Sequence, residues 1–190
     1  MPRNKILNDK NQIIDVALQI IEKEGVEAVS MRRLSKEMGV SSMTLYNYVR
    51  NTDDILREIL IRSFNKVYEK LYSLMSDMAK EGKLGLKAYA KAYAISLYAF
   101  ATEHKDICSY LIGEGKATFH ADAELRQFYS PFGSFLLGVG KERTLKHICR
   151  MYECTVLSLL HEYTSGIRSL DQEEMEEIVD LFIERMFIDV

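Results

Sequence analysis

Proline occurs twice in this chain of 190 residues, at Pro2 and Pro131, so almost nothing in the sequence obliges a helix to stop. Alternation of apolar and polar residues at the period of a strand is also missing over any useful length. No apolar run approaches the ~20 residues needed to span a bilayer. The polar opening of Met1, Pro2, Arg3, Asn4 and Lys5 has no apolar core of a secretion signal. A cytoplasmic protein with no membrane attachment is expected. Cys108, Cys149 and Cys154 are odd in number and lack paired spacing, which does not suggest a disulfide framework and points to buried free thiols. The four histidines are scattered. His147-x-Cys149 and His120-x-Asp122 set their residues two apart, where a helix does not bring them to one face, so no metal site is expected. No Ser-His-Asp grouping, glycine-rich phosphate loop or carboxylate pair stands out, and His161-Glu162 lacks a second histidine four residues on. Neither an enzyme nor a cofactor is expected.

What is present is one amphipathic helical pattern after another. With 47% hydrophobic and 28% charged residues, the composition is that of a folded globular protein. The fold class is all-α, with about nine helices. The net charge of −3 argues against non-specific coating of nucleic acid, but it is unevenly spread. Residues 1–50 hold eight Lys/Arg against six Asp/Glu, and the remaining 140 hold 17 against 22. A mildly basic head on an acidic body is expected, divided as 1–52 and 53–190.

The stretch from Ser30 to Val49 reads as two short helices joined by a tight turn. Ser30 is placed to cap the first through its hydroxyl, Leu34 and Met38 fall on one face, and Gly39 arrives where the chain needs a left-handed residue. Ser41 or Ser42 caps the second helix, whose apolar positions Leu45 and Val49 are four apart. A helix-turn-helix needs a small residue in its first helix, a glycine in the turn and an apolar anchor in the second. Ser35, Gly39 and Leu45 sit at those places. Ser42, Met43, Thr44, Tyr46, Asn47 and Tyr48 are left for the outer faces, a set without a Lys or Glu. Hydroxyl and amide groups can donate to phosphates or read base edges, and short side chains let a helix enter a major groove. The alternative from spacing alone is an ordinary helical hairpin in an all-α core.

Residues from about Asn11 to Leu60 resemble the N-terminal domain of the TetR (tetracycline repressor-like) family of transcriptional regulators. The residues that carry the resemblance are a first helix ending at Gly25, Val29-Ser30-Met31-Arg32-Arg33-Leu34, Met38-Gly39-Val40, and Thr44-Leu45-Tyr46-Asn47-Tyr48-Val49. Asn51, Asp53, Asp54, Ile55 and Leu56 then open a long fourth helix in the same manner. The resemblance covers roughly a quarter of the chain. It implies double-stranded operator DNA as partner and contacts from Ser30, Arg32, Arg33 and Ser41 as well as the outer residues of the second helix. Thr52 stands where many members carry a lysine that meets a phosphate; here it can still cap the helix and donate a hydroxyl. For Arg33 an intramolecular ion pair is an equal alternative.

Along the rest of the chain, helix one spans about 10–24, burying Ile13, Ile14, Ala17, Leu18 and Ile21, and residues 2–10 make a polar arm. Helix four spans about 53–78 and is the expected link from head to body. Tyr89, Tyr93, Leu97 and Phe100 line one face of a helix over 86–102, and a shorter helix covers 107–112. A helix from about Ala123 carries Phe128 and Phe132 with a kink at Pro131. The helix over 141–165 is apolar on more than one side and is stopped by Gly166, and Asp171 opens the last one. A helix apolar on two sides must be covered on two sides. A homodimer supplies the cover, through Tyr152, Thr155, Leu159 and Tyr163 of one helix and Met175, Ile178, Val179 and Phe182 of the next. The resemblance implies the same dimer, and a small-molecule effector held between the fourth and the penultimate helices. Candidate walls are Tyr68, Tyr93, Leu97 and Phe100, then Phe128, Phe132, Met151 and Cys154. Few charges fall on these faces, so an apolar or aromatic effector is expected, releasing a repressor from its operator by shifting a conformational population. The competing expectation is a regulator or helical adaptor controlled by a protein partner, its body filled and without a ligand.

Overall fold

The Asp9 carboxylate accepts the backbone N–H of Asn11 and so opens the first helix, α1 (Lys10–Glu24). From there the computed structural model describes residues 9–115, 122 and 143–187. Among them the regular elements are all helical: α1, a 3-10 turn at Val26–Ala28, α2 (Met31–Met38), α3 (Ser42–Tyr46), α4 (Thr52–Lys80), α5 (Leu86–Glu103), α6 (Lys105–Ile112), α7 (Arg143–Thr164) and α8 (Gln172–Met186). The all-α expectation holds. The helix expected over 123–137, with Phe128, Phe132 and Pro131, lies outside the described residues, as does the arm before Asp9.

Packing divides the chain into two units, up to Ser63 and from Phe64 onward. The division falls inside α4, so the first turns of that helix pack with the head. In the head, Ile13, Ile14, Ala17, Ile20 and Ile21 of α1 form the core with Leu34, Leu45, Val49, Ile55, Ile59 and Leu60. Ile20 is buried where the sequence pointed to Leu18, which is half-buried. Ion pairs between α1 and α4 flank this core: Lys10 Nζ lies 2.9 Å from Glu58 Oε1, and Arg62 reaches Asp15 at 2.8 Å.

Gly39 ends α2 with φ 68°, and the Val40 N–H donates back to the Ser35 carbonyl at 3.1 Å, satisfying one of the last open carbonyls of the helix. A methyl added at Gly39 would meet nothing within 4 Å. Gly39→Ala should therefore cost only the backbone term, about 1 kcal/mol, lowering the melting temperature by a few degrees (about 2–4 °C) in a circular-dichroism melt.

In the body, α5 is central. It is buried almost all round, through Ala90, Ala92, Ala94 and Ala101 as well as Tyr93, Leu97 and Phe100. The single aromatic face expected of it is thus only part of its burial, and Tyr89 is half-buried. The small alanines let neighbours approach closely on the other sides. Two phenols tie the body across long stretches of sequence: Tyr98 donates to the Leu170 carbonyl at 2.9 Å and Tyr152 to the Ala90 carbonyl at 2.7 Å. Lys91 pairs with Asp180 of α8 at 2.7 Å. Cys108 and Cys149 are buried thiols, pushed up to about 12 and about 11 by burial, whereas Cys154 is exposed, against expectation.

Candidate functional site

Four serine hydroxyls build the unit formed by α2, its turn and α3. Ser30 Oγ accepts the Arg33 N–H at 3.2 Å, and Ser41 Oγ accepts the Thr44 N–H at 3.1 Å, so each helix has its own cap. Ser42 Oγ then donates to Ser35 Oγ at 3.3 Å, a brace between the two helices that only small side chains allow. Leu45 is fully buried and anchors α3 on the head core. Regular helix ends at Tyr46, earlier than the Leu45–Val49 spacing suggested, but the N–H groups of Tyr48 and Val49 both still donate to the Leu45 carbonyl. That extra turn carries Val49 into the core.

With Leu45 and Val49 inward, Met43, Tyr46 and Asn47 are exposed, while Ser42, Thr44 and Tyr48 are half-buried. The surface from Ser41 to Val49 carries no charge. Basic side chains flank it: Arg32 is exposed, and the side chain of Arg50 is 85% exposed with its guanidinium 3.4 Å from Asp54. Arg50 was missed in the sequence, although a lone base directly after the second helix was a usable signal. Arg33 is taken up within the head, 2.6 Å from Glu24 and 3.4 Å from Glu37. Thr52 is the first residue of α4, but the cap is Asn51, whose Oδ1 accepts the Asp54 N–H at 2.9 Å.

A second feature lies in the body. Phe64 of α4, Tyr93 and Leu97 of α5, Leu111 and Ile112 of α6, and Glu153 and Leu157 of α7 line a cavity of about 30 Å³. Of the candidate effector walls, Tyr93 and Leu97 are in this lining. Phe100 packs against the His104 ring, 5.2 Å between centroids, and Tyr68 stacks on Tyr72 at 6.1 Å. Met151 and Cys154 are exposed on the outer side of α7. Glu153 escaped the sequence reading, because an acid on an exposed-looking helix position reads as solvated. Burial, and after it the Glu153 charge, hold the Tyr93 phenol well above its ordinary value, so it is a neutral donor at physiological pH.

Of the residues proposed to meet a second copy, Tyr152, Met175 and Val179 are turned into the body's own core. Thr155, Leu159, Tyr163, Ile178 and Phe182 are partly exposed. Among the described residues no group of three or more His, Cys, Asp or Glu could hold a metal ion, and no helix is long and apolar enough to cross a membrane.

A capped, braced helix pair that presents an uncharged polar and aromatic helix between basic flanks is the head of a helix-turn-helix protein. Residues 13–59 match the family described as bacterial regulatory proteins, tetR family. The uncharacterized HTH-type transcriptional regulator YobS of Bacillus subtilis strain 168 is 30% identical over 84 residues, which are 44% of this chain and 43% of that protein. The chain thus aligns with less than half the length of this curated relative. The fold also matches, over 98% of both chains, the fatty acid degradation regulator FadR of Bacillus halodurans, with a TM-score of 0.70 at 18% identity. A TetR-like transcriptional regulator from Rhodococcus sp. RHA1 matches with a TM-score of 0.68 at 14% identity, over 95% of this chain and 96% of that one. Over residues 13–59 the chain thus carries the head of the tetR family of bacterial regulatory proteins.

Proposed function

We propose that this protein is a site-specific, DNA-binding transcriptional regulator, acting in the cytoplasm as a homodimer on double-stranded operator DNA and, by family habit, as a repressor. The observation that carries the reading is α3, capped by Ser41 and anchored by the buried Leu45, with its uncharged outer residues turned to solvent. In this reading the head, 1–52, supplies the contacts. Met43, Thr44, Tyr46, Asn47 and Tyr48 face the major groove, while Ser30, Arg32, Ser41, Ser42, Thr52 and Arg50 serve the backbone. Arg33 serves the head itself through Glu24 and Glu37.

The body, expected from residue 53 and packed as a unit from Phe64 onward, would supply dimerisation and control. Burial of Tyr152, Met175 and Val179 leaves the proposed dimer face to the partly exposed Thr155, Leu159, Tyr163, Ile178 and Phe182, alongside the exposed Met151 and Leu181. The effector reading places a small, largely apolar or aromatic molecule in the cavity bounded by Tyr93, Leu97 and Glu153. The carboxylate favours a ligand that carries one donor or cationic group on its apolar body. Helix α4 is continuous from Thr52 to Lys80 and contributes to both units, so it is the element through which such binding would reach the head.

A second reading has its own support. Among the described residues, the cavity lined by Phe64, Tyr93, Leu97 and Glu153 encloses only about 30 Å³, space for a water or two and too little for an effector as it stands. In that case a protein partner, not a small molecule, controls the regulator. Both readings rest on DNA binding, which is tested by anisotropy of the full chain on duplexes from its own promoter region against unrelated duplexes, titrated with salt. Affinity at least about a thousandfold above the unrelated control is expected of a specific regulator. Equal, weak and steeply salt-dependent binding to both would refute the reading. Melting the protein in the presence of lipophilic amines then separates the two kinds of control, since a filled body shows no shift.

A further inference from the structure

Met43 is 76% exposed and Tyr46 51% exposed, and among the described residues of the head they are the two large apolar side chains left in solvent. Scattered single exposures of this kind are ordinary. These two are not scattered. They stand three residues apart on one short helix, on the same face, and nothing charged lies between Ser41 and Val49. Every other described apolar position of the head is buried or half-buried, so the exposure is local to α3.

The inference rests on the DNA-binding reading above and adds what that helix reads. In a major groove the guanine edge is matched by Arg or Lys, neither of which α3 carries, whereas the one apolar feature that any base pair presents is the C5-methyl of thymine. We propose that Met43 is a specificity-determining residue whose thioether chain packs on a thymine methyl, so that each operator half-site carries a thymine beneath α3. The unbranched, three-torsion side chain can settle on a methyl without a fixed hydrogen-bond geometry. Asn47, exposed at the end of the same helix, offers the amide that matches adenine, so the polar group on this face also favours A·T pairs.

The test starts from the full chain and a library of random duplexes, from which repeated selection returns the preferred sequence. Each thymine of that sequence is then replaced singly by deoxyuridine, which removes only the methyl, and affinities are measured by anisotropy at one salt concentration. Wild type should lose about fourfold at one thymine in each half-site, the factor for returning one buried carbon to water, and little at the others. Met43→Ala should bind thymine and deoxyuridine duplexes equally, at the weaker level, with a melting temperature equal to wild type because the side chain is exposed. Met43→Leu should keep the discrimination. The inference is overturned if wild type ignores every methyl, if Met43→Ala still discriminates, or if the selected half-site holds no thymine. A selection that returns no sequence at all overturns the DNA-binding reading itself, and the inference with it.

Discussion

Tyr46→Ala should bind the selected duplex at least about thirtyfold more weakly than wild type, a loss of about 2 kcal/mol, while melting at an unchanged temperature. The ring is half in solvent, and α3 keeps its Ser41 cap and its Leu45 anchor without it, so the fold has little to lose. The interface has more. A tyrosine on the outer face of a recognition helix offers an apolar ring to the floor of the groove and a hydroxyl to a phosphate or base edge, and aromatic side chains are over-represented among residues whose truncation costs most in binding. Tyr46→Phe divides the two contributions. It keeps the ring, so whatever it loses belongs to the hydroxyl, about 1 kcal/mol if one hydrogen bond is made. Anisotropy on the selected duplex, with circular-dichroism melts of each variant, measures both. A folded Tyr46→Ala that binds as wild type does would take α3 out of the interface.

What was legible in the sequence is what short-range rules determine. Ser30, Gly39 and Ser41 announce the helix ends within four residues of the groups they satisfy, and each does in the structure what its position suggested. Helix α1 begins and ends where the pattern put it, and α7 stops just before Gly166, whose φ of 75° lets the Ile167 N–H return to the Glu162 carbonyl. What was not legible depends on partners far along the chain. The cap of α4 was sought at Thr52 and lies one residue earlier, at Asn51, because a threonine inside the first turn and an asparagine before it satisfy the same pattern. Helix α5 was read by its aromatics, yet its burial owes as much to alanines, which carry no signal in a hydrophobic period. In the cavity, Tyr93 and Leu97 were found by their apolar spacing, whereas Glu153 was passed over because nothing in the local sequence separates a carboxylate turned to a cavity from one turned to water. The rotation of α7 was misjudged for a similar reason. Leu145, Cys149, Tyr152, Val156 and Leu160 form its inner stripe, but Ile148, Leu159 and Tyr163 continue the same spacing one position aside. Two overlapping stripes leave the inward direction undecided until α5 and α8 are in place.

Tyr152 is where that rotation can be tested with the largest effect. It is 1% exposed, its ring lies 5.3 Å from Phe182 and 6.0 Å from Phe187, and its hydroxyl donates to Ala90 of α5. One side chain therefore joins α5, α7 and the end of α8. Tyr152→Ala should cost about 3–5 kcal/mol, the range for emptying a buried aromatic site, and lower the melting temperature by roughly 10 °C in a chain of this size. Tyr152→Phe keeps the ring and should cost only about 1 kcal/mol, the worth of one buried hydrogen bond. Burial, and after it the Asp180 charge, raise the phenol above its ordinary value of 10.0. The raised value means that the stabilisation is complete below pH 10 and is lost as the pH climbs through the folded-state value, so the gap between Tyr152→Phe and wild type should stay constant across neutral and mildly alkaline pH. A residue of the dimer interface would behave otherwise. Its truncation would leave the melt of dilute subunits untouched and abolish the dimer in sedimentation, with the loss growing as protein concentration falls. A residue of the subunit core instead lowers the melt at every concentration, because the packing it supports is made within one chain.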